Sequence, residues 1–136
     1  MTPTAIALLG FAAWTIILVV GLAVFRVSLV SAGKKSAAGF SPIGDDVEGF
    51  GKRLTRAHAN CYENLPLAGA VLLYAVATDQ TAVTDGLAVI FLGARLAQSL
   101  THLASTSRPA VTIRFLFYVA QIVIISYWIL ALAHLI

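Results

Sequence analysis

The chain has 136 residues, of which 60% are hydrophobic and only 11% are charged. Soluble domains are typically about half apolar and about a quarter charged. This composition excludes a soluble globular domain, a disordered chain and a nucleic-acid-binding module. The formal net charge of +3 is therefore interpreted as a membrane-orientation signal. The single cysteine excludes an internal disulfide framework and a multi-cysteine metal site.

Four helices are predicted along the chain, at 4–31, 54–78, 82–104 and 111–135. Residues 1–25 contain no charged side chain, nor do residues 115–136, and a membrane helix needs about 20 apolar residues. The two central segments are weaker candidates because Glu63 lies inside one and Arg95 inside the other. The sequence predicts an all-α integral membrane four-helix bundle that forms a single domain over residues 1–136.

The charges of the connections predict the orientation of this bundle. The 32–53 and 105–110 connections contain lysine and arginine, whereas the turn between helices two and three contains Asp79 and Asp85 and no cation. Cytoplasmic loops of membrane proteins carry an excess of Lys and Arg. We therefore expect loops 32–53 and 105–110 in the cytoplasm and both termini on the opposite side. The short, alanine-rich chain without an evident retention signal favours a bacterial inner membrane.

Polar residues form one stripe on each of the last three predicted helices. The spacings of three and four residues within each stripe are those of one helix face. The members are Arg53, Arg56, Asn60 and Glu63 on the second helix, Arg95, Gln98 and His102 on the third, and Arg114, Tyr118 and Gln121 on the fourth. The second and fourth helices begin on the side where the third ends. All three stripes are therefore predicted to meet at one membrane depth.

The predicted cluster contains four arginines and a single acidic residue, Glu63. Arg56 lies seven residues from Glu63, about 10 Å along a helix axis, so the two cannot simply neutralise each other. Arginine suits carboxylates and phosphates, and helix N-termini add partial positive charge. We therefore predict a cytoplasm-facing pocket for a small anionic ligand with several carboxylates, in which Glu63 is available for an amine. The structural alternative has Arg53 and Arg56 anchoring helix ends at headgroups and Arg95 pairing with Glu63.

The segment 53–66, RLTRAHANCYENLP, resembles the signature of the MAPEG family (membrane-associated proteins in eicosanoid and glutathione metabolism). Ala94-Arg95-Leu96 and the later Arg114 resemble its third and fourth helices. The resemblance implies a homotrimer of four-helix subunits that bind glutathione between neighbouring subunits near the cytoplasmic side. The residues that it implies as glutathione contacts are Arg56, Asn60, Glu63, Arg95, His102 and Arg114.

The resemblance also implies a chemistry, which is activation of the glutathione thiol. Nearby cations lower the pKa of a thiol and so increase its thiolate fraction. Arg114 is expected to stabilise the thiolate, with Tyr118 or His102 as a hydrogen-bond donor. The thiolate would attack a hydrophobic electrophile or reduce a lipid hydroperoxide that arrives from the bilayer, as in a detoxifying transferase or peroxidase. Glutathione is then a co-substrate. No metal is expected because the three histidines lie on separate helices, and no nucleic acid is expected from the composition.

Two other functions remain open at this point. A non-catalytic glutathione- or lipid-binding protein of the same fold would keep the stripe of Arg56, Asn60 and Glu63 without turnover. A small multidrug transporter is the third possibility, and such proteins typically depend on one acidic residue deep in their first helix. The first predicted helix here has no charge before Arg26, which disfavours the transporter.

Overall fold

The computed structural model describes all 136 residues and consists of four α-helices. Helix α1 spans Pro3–Ser31, α2 spans Gly49–Ala77, α3 spans Thr81–Ala104 and α4 spans Arg108–Leu132. The all-α four-helix bundle predicted from the sequence is confirmed. Helix α3 packs against each of the other three helices, whereas α1 and α4 do not pack against each other.

Helix α2 begins five residues earlier than predicted, at Gly49 rather than at residue 54. The loop ends at Glu48, and Gly49 has a φ of +60°, which suits a residue without a Cβ. No proline follows before Pro66. The first connection is therefore 32–48 rather than 32–53. This correction moves Lys52 from the loop onto the first turn of α2, with Arg53 directly after it.

Helix α4 is also shifted, because it spans 108–132 rather than the predicted 111–135. The Ser107 hydroxyl accepts a hydrogen bond from the Ala110 backbone N–H, and Pro109 lies in the first turn, both of which are N-terminal signals that the prediction overlooked. At the other end His134 has a φ of +56°, and Leu135 donates its backbone N–H to the Leu130 carbonyl, which closes the helix. The connection between α3 and α4 is thus 105–107, which contains no charged residue, and Arg108 belongs to the first turn of α4.

Three of the four helices, α1, α3 and α4, are long and apolar enough to cross a membrane. Helix α2 has 29 residues, but its first half contains Lys52, Arg53, Arg56 and Glu63, and it falls short of that hydropathy. The outer surface of the bundle is apolar, as on α1, where Ile16 and Ile17 are 60% and 58% exposed. Such a surface is suited to contact with lipid, and the backbone polar groups are paired within the helices.

An aromatic cluster at the centre of the bundle joins α1, α3 and α4. The ring centroids of Phe11 and Phe91 are 6.0 Å apart, and those of Phe91 and Trp128 are 5.4 Å apart. All three side chains are fully buried. Tilted aromatic pairs at this separation each contribute about 0.5–1.5 kcal/mol beyond the area they bury. Phe91 therefore connects the two helices that do not contact each other directly.

A polar contact joins α1 to α3 at the end of the bundle opposite the 32–48 loop. The Asp85 carboxylate accepts hydrogen bonds from the Thr4 backbone N–H at 2.9 Å and from the Thr4 hydroxyl at 2.6 Å. The hydroxyls of Thr4 and Thr84 are 2.6 Å apart, and both residues are fully buried. Asp85, expected in the turn between α2 and α3, thus lies in α3 and caps the N-terminus of α1.

The 32–48 loop folds back on itself through one ion pair, between Lys35 and Asp46, which is the only ion pair in the protein. The Lys35 ammonium also donates to the Asp46 backbone carbonyl at 2.8 Å. The hydrogen bond from Lys35 lowers the pKa of the Asp46 carboxyl below its usual value of 3.8. Arg26 of α1 donates to the Ser41 carbonyl, so the loop is tied to the helix that precedes it.

Candidate functional site

A cleft opens between α2, α3 and α4 near the 32–48 and 105–107 connections, and we name it the cationic cleft. It comprises three adjoining chambers of about 440, 360 and 80 Å³, and His102 lines all three. The outer, largest chamber has no hydrophobic side chain in its wall, which consists of Gly49, Lys52, Arg53, Arg56, His102, Thr106 and Arg114. The two inner chambers are lined by Arg56, Ala59, Asn60, Glu63, Asn64, Gln98, His102, Val111, Arg114, Phe115 and Tyr118.

Positive charge dominates the cationic cleft. Its four cations are Lys52, Arg53, Arg56 and Arg114, and Glu63 is its single carboxylate. None of these five side chains makes an ion pair. The one ion pair of the protein lies in the 32–48 loop. The N-terminus of α2 has no side-chain cap and adds the positive end of its helix dipole at Gly49. The cleft is therefore suited to an anion that carries more than one acidic group.

Arg114 is held in place by His102 on the neighbouring helix. Its Nη1 atom lies 3.0 Å from His102 Nδ1. A guanidinium has donors only, so the imidazole must accept this hydrogen bond through an unprotonated Nδ1. His102 is therefore neutral in this arrangement, with its proton on Nε2, and the other donors of Arg114 remain free for a ligand.

A buried amide pair fixes α4 against α3 beside Arg114. Gln121 Nε2 donates to Gln98 Oε1 at 3.0 Å, and Gln98 Nε2 donates to the Arg114 backbone carbonyl at 3.3 Å. Both glutamines are at most 2% exposed. Gln98 and Gln121, which belong to the predicted polar stripes, thus form a hydrogen-bonded contact between α3 and α4. This contact fixes the position of Arg114 along the cleft.

Arg95 does not line the cationic cleft, which corrects its predicted place among the ligand contacts. It is 1% exposed and lies behind Asn60, with Nη1 2.6 Å from Asn60 Oδ1 and the guanidinium carbon 5.1 Å from the Phe11 ring centroid. The alternative ion pair with Glu63 is also absent. The reason is that Arg95 faces α1 and α2, whereas Gln98 and His102 face α4.

The structure brings the other predicted residues together around one space. Arg56, Asn60 and Glu63 come from α2, His102 from α3, and Arg114 and Tyr118 from α4. Tyr118 is 38% exposed and its hydroxyl has no partner within the protein, so it is free to donate to a ligand. Residues that the sequence interpretation missed are Gly49, Lys52, Asn64 and Thr106. Lys52 precedes Arg56 by four residues, which is a helical spacing. A helix predicted to start at residue 54 leaves Lys52 outside this pattern.

The fold and the cleft define a class of protein, a small helical membrane protein with a cationic cleft. A family model described as the MAPEG family matches residues 4–134, which is nearly the whole chain. The chain belongs to the MAPEG family and is a membrane protein. This family contains glutathione-dependent enzymes and also non-enzymatic members. Comparisons with curated proteins and with solved structures returned no match.

Proposed function

We propose that this protein is a glutathione-dependent membrane enzyme that activates the glutathione thiol for reaction with hydrophobic substrates. The observation that carries the proposal is the cationic cleft, with four cations and one carboxylate, none of them in an ion pair. Glutathione has two carboxylates, one ammonium group and one thiol. The arginines suit the carboxylates and Glu63 suits the ammonium group. The two larger chambers, about 440 and 360 Å³, are within the usual range of about 300–1,000 Å³ for small-molecule sites.

Arg114 is the residue that we propose for thiolate stabilisation. Its backbone carbonyl is held by Gln98 and its side chain by His102, so its charge is in place before a ligand binds. A fixed guanidinium beside the sulfur favours loss of the thiol proton to solvent. Tyr118, one turn further along α4, would donate a hydrogen bond to the same sulfur.

Two reactions are compatible with such a thiolate. In conjugation the sulfur attacks an electrophilic carbon, a carbon–sulfur bond forms, and the leaving group departs with its electron pair. In peroxide reduction the sulfur attacks an oxygen of a lipid hydroperoxide, the O–O bond breaks and an alcohol leaves. A second glutathione then converts the sulfenic acid to the disulfide and water. Val111 and Phe115 are exposed on the α4 edge of the inner chamber, which suits entry of a hydrophobic substrate from the bilayer.

The resemblance to the MAPEG family supports the proposed assembly, and the lysines and arginines in and beside the connections support the proposed orientation. We propose that the subunits assemble as a homotrimer in a bacterial inner membrane, with the 32–48 and 105–107 connections in the cytoplasm. In that arrangement the cationic cleft opens toward cytosolic glutathione, and the exposed apolar helix faces contact lipid or neighbouring subunits. The sedimentation mass of the detergent-purified protein, corrected for bound detergent, tests the trimer.

The test of the enzyme is glutathione-dependent conjugation of a dinitro-substituted aryl halide by the detergent-purified protein. Arg114→Ala should lower kcat by about 10²–10³, the usual cost of removing one fixed donor for a developing anion. Glu63→Gln should mainly raise the KM for glutathione, because it removes the partner of the ammonium group. Arg108→Ala is the matched control, since Arg108 is an exposed arginine on the same helix and does not line the cleft.

These measurements distinguish the enzyme from the non-catalytic binder. Turnover that collapses in Arg114→Ala but survives in Arg108→Ala supports the enzyme. Saturable glutathione binding without turnover of either an aryl halide or a lipid hydroperoxide indicates the non-catalytic binder. Absence of both binding and turnover in the folded protein would overturn the proposal.

A further inference from the structure

Arg95 is a buried cation whose only hydrogen-bond partner is one asparagine. Its Nη1 donates to Asn60 Oδ1 at 2.6 Å and approaches the Asn60 backbone carbonyl at 3.4 Å. No carboxylate pairs with it, and its Nε atom is buried without a partner. A buried charge without a counter-ion is costly, so its contact with Asn60 is not explained by stability alone.

This contact determines which way the Asn60 amide faces. An asparagine offers an oxygen acceptor on one side of its amide and an NH₂ donor on the other, whereas a guanidinium offers donors only. The atom that faces Arg95 must therefore be Oδ1, because the flipped amide would oppose two donors. The Nδ2 atom consequently points away from Arg95. It donates to no group of the protein, it is not enclosed, and Asn60 lines both inner chambers of the cationic cleft.

We propose that Arg95 is a positioning residue, which locks the Asn60 amide so that the inner wall of the cleft presents a donor and selects a ligand carboxylate at that point. The identity of that ligand as glutathione rests on the proposed function. The selection does not require Arg95 to touch the ligand. Without Arg95 the amide would be free to rotate, and the wall would offer a donor or an acceptor alike.

The orientation of the Asn60 amide matters for ligand binding because Glu63 lies beside it. It lies three residues after Asn60, so the two side chains project from the same face of α2 and line the same two chambers. A locked donor beside a carboxylate acceptor discriminates between the two ends of a zwitterionic group. An amide free to flip could also accept a hydrogen bond from the ammonium group, so discrimination between the two ends of the ligand would be weaker.

Asn60→Asp is the sharpest test because it is isosteric and converts the donor into an acceptor. The new carboxylate gains Arg95 as a counter-ion, so we expect the melting temperature of the ligand-free protein in detergent to be equal to or higher than that of the wild type. Glutathione affinity should nevertheless fall by about 10- to 100-fold, because a charge-assisted hydrogen bond is replaced by repulsion. Gln80→Glu, an amide-to-acid change at the opposite end of α3, is the control for added charge.

Arg95→Met tests the contact between Arg95 and Asn60 by removing the guanidinium. Asn60 keeps its NH₂ donor, but Arg95 no longer holds the amide in one orientation. We therefore expect the KM for glutathione to rise by about 3- to 10-fold with kcat nearly unchanged, because the lost binding is equal in the ground state and the transition state. Arg95→Lys retains a donor cation and should restore most of the affinity. Arg108→Met is the control for removal of an arginine outside the cleft.

The ligand-free double variant separates this inference from the proposed function. If the carboxylate introduced by Asn60→Asp pairs with Arg95, combining Asn60→Asp with Arg95→Met should lower the melting temperature by more than the sum of the two single changes, because a half-buried carboxylate loses its partner. Additive melting temperatures would overturn the inference, and so would wild-type glutathione affinity in Asn60→Asp or Arg95→Met. If the wild type itself binds no glutathione, the proposed function fails, and the double variant still tests whether the side chain at position 60 contacts Arg95.

Discussion

Gly51 on α2 lies so close to the ring of Phe25 on α1 that a Cβ atom at this position would be 2.4 Å from two ring carbons. Gly51 is buried, and it immediately precedes Lys52 and Arg53 at the outer chamber of the cationic cleft. The absence of a side chain thus lets α1 and α2 approach at the end of the bundle where the cleft opens. This contact places the first turn of α2.

Gly51→Ala should therefore destabilise the protein by about 1–3 kcal/mol, the usual cost of overpacking a close contact. Gly86→Ala on α3 is the matched control, because a Cβ at Gly86 meets no atom within 4 Å. That control should stabilise the helix by about 0.5–1 kcal/mol. The measurement is the free energy of unfolding in mixed detergent micelles, and equal effects of the two substitutions would contradict the role of Gly51.

Removing one member of the buried glutamine pair should cost more than removing both. Gln98→Leu leaves one N–H of the Gln121 amide without a partner, while the other still donates to the Phe117 carbonyl at 2.8 Å. An unsatisfied buried polar group costs about 1–3 kcal/mol. The double variant with Gln121→Leu removes both amides, so its unfolding free energy should exceed that of Gln98→Leu. A double-mutant cycle measures this coupling. Additive effects would show that the pair does not act as a unit.

The contact between His102 and Arg114 yields a prediction about turnover. His102→Leu removes the acceptor that fixes the guanidinium, and we expect kcat for conjugation to fall by about tenfold or more, since misplaced charge loses much of its stabilising effect. His102→Gln retains an acceptor oxygen and should recover part of the rate. His134→Leu at the far end of α4 is the control. An unchanged kcat in His102→Leu would exclude this positioning role.

The Lys35–Asp46 ion pair makes the order of the 32–48 loop pH-dependent. The pKa of Asp46 is lowered in the folded state by its hydrogen bond from Lys35, so the pair contributes fully above the ordinary aspartate pKa of 3.8. Its contribution is lost as the pH falls below 3.8 and through the lowered folded-state value. Once corrected for the intrinsic pH dependence of amide exchange, hydrogen exchange of residues 36–45 should accelerate over this range. Asp46→Asn should show fast exchange at every pH, and a pH-independent wild-type loop would contradict the prediction.

The membership of the cationic cleft was largely predictable, because it depends on helical spacing. Arg56, Asn60 and Glu63 share a face of α2 by their spacing alone, and Arg114 and Tyr118 share a face of α4. Lys52 was missed for a local reason, since the start of α2 depends on the backbone conformation of Gly49, which no periodic pattern reveals. The predicted residues that line the cleft therefore follow from positions along each helix.

Arg95 could not be placed in the same way. Its spacing with Gln98 and His102 predicts one face of α3, yet that face is wide enough to contact different neighbours. Arg95 faces Phe11 and Asn60, whereas Gln98 faces Gln121. Which neighbour a side chain contacts depends on how α3 is rotated against three other helices at once.

The amino-acid sequence by itself determined the four helices, the apolar exterior and the three polar stripes, because apolar runs and helical periodicity are properties of neighbouring residues. Only the tertiary structure decided that the stripes enclose one cleft, that His102 accepts from Arg114, and that Arg95 holds the Asn60 amide instead of a ligand. These relationships join residues 12 and 35 positions apart in the chain. They arise from the packing and rotation of whole helices, which are set by the sum of many contacts rather than by any local pattern.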